Sequence, residues 1–155
     1  MNLLKLQTTM KREIVNEQVP SGYPICTSKS CNERAHCLHS YFAPEVLREA
    51  RTFTMINQQH PNYQEGKACE LYCSNKPERY ARGLTKAMGE MSHNNYVAFT
   101  NYLIAKHTKT QFYRIKRGDI PLSPAEQAEL LELLRTYGCT GEEPFDSYEM
   151  RYTWY

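Results

Sequence analysis

Five of the six cysteines fall in two short clusters, Cys26, Cys31 and Cys37, then Cys69 and Cys73, with His36 and His39 beside the third thiol. Nothing visible in the chain addresses it to an oxidising compartment, so thiols gathered this way point to a metal before disulfides. A tetrahedral zinc site takes four sulfur or nitrogen ligands, with thiolates at about 2.3 Å. The loop from Cys26 to Cys37 is long enough to fold round an ion, and one ligand from the second cluster completes the set. The expected ligands are Cys26, Cys31, Cys37 and Cys69, with Cys73 as the substitute and His36 or His39 behind it. The spacing is not that of zinc ribbons and fingers, whose paired ligands lie about two to four residues apart. An iron–sulfur cluster, which also takes four cysteines, a disulfide and plain buried thiols stand as alternatives. No open coordination position or nearby general base can be argued, so the metal reads as structural. Cys139 follows a helix stop and reads as a free cysteine.

A second stretch carries chemistry of another kind. Between Lys106 and Arg117 lie five basic residues, Lys106, Lys109, Arg114, Lys116 and Arg117, with His107 among them and no acid. From Gly118 onward eight acids face only Arg135 and Arg151. The net charge of +2 is too small to name a partner, but its distribution makes the middle basic and the tail acidic. If the basic stretch is a helix lying in the DNA major groove, Thr110, Gln111 and Arg114 face bases while Lys106, Lys109, Lys116 and Arg117 hold phosphates. Glutamine reads adenine and arginine reads guanine through paired hydrogen bonds.

The elements that must position these residues follow from capping and periodicity. Thr108-Lys109-Thr110-Gln111 fits a capping box, so a helix starts there. Phe112 and Ile115, three apart, turn inward together, and Gly118 suits the left-handed residue past a helix end. Ser123-Pro124-Ala125-Glu126 is a second capping box with proline at the first helical position. Leu130, Leu131, Leu134 and Tyr137 give the helix that follows a buried stripe. An earlier helix runs from Asn94 to Lys106. Pro77 to about Met91 is also expected to be helical, from Tyr80, Ala81, Leu84, Ala87, Met88 and Met91 at spacings of three and four. Pro44 opens a short helix to Ala50, and residues 51–56 alternate like a short strand, or else prolong that helix. The terminal aromatics Phe145, Tyr148, Tyr152, Trp154 and Tyr155 could stack on nucleobases or anchor in a partner, but are expected to pack back over the helices by burial.

The stretch from Leu103 to Tyr137, LIAKHTKTQFYRIKRGDIPLSPAEQAELLELLRTY, resembles helix-turn-helix segments of the phage-repressor type, with Lys106 and His107 where that family commonly has a turn glycine. The resemblance implies DNA as the partner. Residues 19–155 are similar to a family of small cysteine-containing proteins of unknown function from gut anaerobic bacteria, through CTSKSCNERAHC, Cys69, PERYARG, YRIKRGDIPLSPAEQ and FDSY. That likeness favours Cys69 over Cys73 and implies no activity.

The expected fold is mainly α: a cysteine-rich, metal-stapled N-terminal module packed on a helical, helix-turn-helix-like C-terminal part. Residues 1–19 are expected to be a leader and 20–76 the metal module. Residues 77–155 form the helical module, with the helix-turn-helix-like unit over about 94–138. No signal peptide pattern or apolar run of membrane length is present, so a cytoplasmic protein is expected. Phosphate-loop, nucleophile-elbow and His-Glu metal motifs are absent, which argues against an enzyme. The expected function is a non-enzymatic, zinc-stabilised DNA-binding or regulatory protein. The alternatives are a structural or protein-partner-binding metalloprotein and an iron–sulfur redox protein.

Overall fold

The computed structural model describes residues 19–154, so the expected leader lies, save Val19, outside the described residues, as does Tyr155. The described chain forms two compact units: an N-terminal unit of residues 19–77 with 152–154, and a C-terminal unit, Glu78–Arg151.

In the N-terminal unit irregular segments are tied together by backbone bonds. The Ile25 N–H donates to the Thr54 carbonyl and the Ile56 N–H to the Ile25 carbonyl, each at 2.9 Å. The Cys26 N–H reaches the His39 carbonyl at 3.0 Å and the Leu38 N–H the Cys73 carbonyl at 2.7 Å. Two short helices follow the cysteine loop, α1 (Leu38–Tyr41) and α2 (Ala43–Glu49), the second with Pro44 in its first turn. The alternating stretch 51–56 is not a strand: Met55 alone bridges, in parallel, to Ile25. Buried Tyr23, Ile25, Leu38, Phe42, Ile56 and Tyr152 form the interior. Its rings interlock: Phe42 packs on Tyr152 at 5.4 Å and on Trp154 at 5.1 Å, and Tyr23 meets Trp154 edge-on at 4.9 Å.

The C-terminal unit begins with a strand where a helix was expected. β1 (Glu78–Arg82) pairs antiparallel with β2 (Ser147–Arg151), placing Glu78 opposite Arg151 and Ala81 opposite Tyr148. Ala81 is 0% exposed and uses its own N–H and C=O on Leu122, at 3.0 and 2.8 Å. The chain then turns at Gly83, φ 77°, into α3 (Thr85–Gly89). The three-and-four spacing across 77–91 arises because inward residues of a strand and of a helix were summed into one stripe. Asp146 closes the corner, its carboxylate accepting from the Thr85 N–H at 3.0 Å and the Lys86 N–H at 2.6 Å.

Three longer helices complete the unit: α4 (His93–Lys106), α5 (Lys109–Arg117) and α6 (Pro124–Thr136). Their starts are set by side chains. Ser92 accepts from the Asn95 N–H, Thr108 from the Gln111 N–H, and Ser123 with Glu126 forms a complete reciprocal capping box. Gly118 at φ 82° ends α5. Phe99, Leu103, Phe112, Ile115, Leu122 and Leu134 bury their side chains with Ala81, Leu84, Met88 and Phe145.

The expectation of a mainly α chain with a metal-stapled module is therefore corrected. The C-terminal unit combines helices with a two-stranded antiparallel sheet. Among the described residues no group of three or more His, Cys, Asp or Glu side chains stands ready to hold a metal ion. An aromatic interior completed by Tyr152 and Trp154 takes the place of the staple.

Two substitutions test these local causes by chemical denaturation. A Cβ at Gly83 would overlap the Asp146 carboxylate and force a side chain to positive φ, so Gly83→Ala is expected to destabilise by more than about 1 kcal/mol. Ser123→Ala removes the cap of α6 and is expected to cost about 1 kcal/mol. Unchanged midpoints in either variant would contradict the assignment.

Candidate functional site

Helices α4 and α5 are joined by His107 and Thr108 alone. The His107 N–H still bonds back to the Leu103 carbonyl at 2.9 Å, and the Thr108 hydroxyl then restarts the helix by accepting from the Gln111 N–H at 3.2 Å. The return bond from the Gln111 side chain, expected of a full capping box, is absent among the described residues. Gln111 is free to point outward. Phe112 and Ile115, at 1% and 8% exposure, set the inner face. Lys109, Thr110, Gln111, Tyr113, Arg114 and Arg117 are thereby exposed.

The expected basic set divides once partners are counted. Lys116 is half-buried, its ammonium donating to the Tyr96 hydroxyl at 2.9 Å and lying 5.3 Å from that ring's centre. Arg117 pairs with Asp119 at 2.7 Å. Lys106 pairs with Glu129 at 2.9 Å. That hydrogen bond, reinforced by opposite charge, raises the Lys106 pKa and lowers that of Glu129. Lys109 and Arg114 have no ion-pair partner among the described residues. Tyr113, 39% exposed, is the member of this face that sequence reasoning missed. Its position four residues from both Lys109 and Arg117 was the available signal.

Beside this face a groove of about 490 Å³ opens between α4, α5 and α6. Leu103, Phe112, Leu130 and Leu133 floor it, and Tyr102, Lys106, His107 and Glu129 stand among its walls.

In the N-terminal unit a void of about 20 Å³ gathers Cys26, Cys31, Cys37 and Cys69 round itself, with His39 and Tyr63 also lining it. Cys73 is elsewhere, its thiol donating to the Thr153 carbonyl at 2.9 Å. All six cysteines are free thiols. The Cys31 sulfur accepts from the Gly66 N–H at 3.2 Å, and the Cys26 sulfur is 3.9 Å from the Tyr63 hydroxyl. His39 stacks on Tyr23 at 4.6 Å and has Nδ1 2.6 Å from the Pro24 carbonyl, which requires the proton on Nδ1. Glu65 accepts from the Ser30 and Ser28 hydroxyls at 2.6 and 2.7 Å, and those bonds hold its carboxyl below the usual range. His36 is exposed and lies outside the lining. Cys139 belongs to the other unit, where burial pushes its thiol pKa up.

Among the described residues no helix is long and apolar enough to cross a membrane. A model of the Family of unknown function DUF6078 matches residues 10–154, nearly the whole chain. No curated protein and no solved structure matches.

Proposed function

We propose that this chain, which belongs to the DUF6078 family, is a non-enzymatic cytoplasmic regulator that lays the first turns of α5 in the major groove of duplex DNA. The observation that carries the reading is the outward face of α5. Burial of Phe112 and Ile115 turns Lys109, Thr110, Gln111 and Arg114 to solvent together, immediately after a two-residue turn from α4. A recognition helix uses its N-terminal residues for bases and its basic neighbours for phosphate, which is the distribution found here. Gln111 and Arg114 are the candidates for paired hydrogen bonds to adenine and guanine, and Lys109 for a phosphate. Arg117 can exchange its exposed Asp119 partner for a phosphate, because such a pair is weak in water. Lys116, turned onto Tyr96, drops out of the contact set expected from sequence. A second reading, a protein partner, is favoured by the apolar floor of the groove between α4, α5 and α6.

Binding to a randomised duplex pool, followed by anisotropy on the selected sequence across a salt series, separates these readings. Lys109→Ala is expected to reduce the salt slope by about 1. Arg114→Ala is expected to cost about 1–3 kcal/mol on the selected sequence. Lys116→Ala is expected to leave the slope unchanged. A folded Lys109→Ala/Arg114→Ala double variant that binds like the wild type would overturn the DNA reading.

A further inference from the structure

We propose that the void in the N-terminal unit is a zinc-binding site in which Cys26, Cys31, Cys37 and Cys69 supply four thiolates to an ion that the fold does not need in order to form. The inference is independent of the DNA reading. Its first support is convergence: four of six cysteines, three from the first cluster and one from the second, line one void of about 20 Å³. A void of that size holds about one water-sized sphere, the scale of a single ion.

The second support is an amide already aimed at sulfur. The Gly66 N–H donates to the Cys31 Sγ at 3.2 Å, the kind of outer-shell bond that orients a sulfur ligand toward a metal. The turn that aims this amide depends on glycine: Gly66 has φ 77°, and a Cβ there would lie 2.9 Å from Asn32 Oδ1.

The third support is a frame that is fixed around side chains that can turn. Cys26 is tied by its N–H to the His39 carbonyl, Cys37 is bridged to Ser74, and the Cys69 N–H bonds the Gly66 carbonyl at 3.1 Å. Each cysteine has a single heavy-atom χ angle, so rotamer changes alone can move the sulfurs. Such changes are needed, since the thiols as they stand do not form a metal-holding group. His39 donates its Nδ1 proton to the Pro24 carbonyl and has Nε2 3.4 Å from the Tyr23 hydroxyl, so both ring nitrogens already have partners and the four thiols are the ligands proposed.

The reaction balances without a redox partner. One Zn²⁺ replaces four thiol protons, which pass to solvent, and four Zn–S bonds of about 2.3 Å form. Because the unit has its own aromatic interior, the metal-free chain is expected to stay folded, unlike a zinc finger.

The full-length chain is purified anaerobically, stripped with a chelator and titrated with Zn²⁺ against a chromophoric competitor, with thiol alkylation mapped by mass spectrometry. The expected result is one zinc per chain, protection of Cys26, Cys31, Cys37 and Cys69, unchanged alkylation of Cys73, and unchanged far-ultraviolet circular dichroism on stripping. Cys31→Ser/Cys69→Ser is expected to abolish the tight site, and Cys73→Ser/Cys139→Ser to keep it. Should the first variant not fold, the protection map on the wild type decides alone. Zinc that protects none of the four thiols, binding retained by a folded Cys31→Ser/Cys69→Ser variant, or iron with sulfide in the purified protein would overturn the proposal.

Discussion

The rotation of α5 about its own axis is the constraint on which the C-terminal unit's surface depends. Phe112 and Ile115 enter the core, the Leu84 N–H takes the Lys116 carbonyl at 3.0 Å, and Gly118 ends the helix in the left-handed region. With those points pinned, the remaining side chains have little choice. Lys109, Thr110, Gln111 and Arg114 face water, while Lys116 turns to Tyr96. A rotation of one residue would bury a charge or expose Phe112, either of which costs several times the thermal energy. The proposed DNA face is thus a by-product of where the core needs its two apolar residues.

In the N-terminal unit the organising interaction is aromatic. Phe42, Tyr152 and Trp154 form a cluster with Tyr23, so the last described residues of the chain finish a core begun more than a hundred residues earlier. This replaces the metal as the source of cohesion. It also changes what a metal at the four cysteines would mean, from a condition of folding to a ligand whose presence can vary.

What was legible in the sequence is what is local. The caps at Thr108 and Ser123, the stop at Gly118, the inward pair Phe112 and Ile115 and the helix ending at Lys106 each depend on residues within a turn or two of one another. The β1–β2 pairing was not legible, because Ala81 finds Tyr148 and Leu122 far along the chain and its short strand has no periodicity of its own. Nor was the sorting of the basic residues. Lys106, Lys116 and Arg117 look alike in sequence to Lys109 and Arg114, and only placement reveals Glu129, Tyr96 and Asp119 beside the first three. The choice of Cys69 over Cys73 was expected from the sequence, with the family likeness favouring it, and the structure gathers Cys69 with the three N-terminal thiols; the turn at Gly66 beside it is described by no spacing rule.

The central claim is that the first turns of α5 are the surface that meets DNA. The most direct measurement is a backbone amide chemical-shift map of the full chain, taken as duplex carrying its selected sequence is added. The account predicts that the largest shifts fall on Lys109 to Arg114 and on the Thr108 turn. Shifts confined to Tyr102, Leu130 and Leu133 along the groove, or none at saturating duplex, would contradict it.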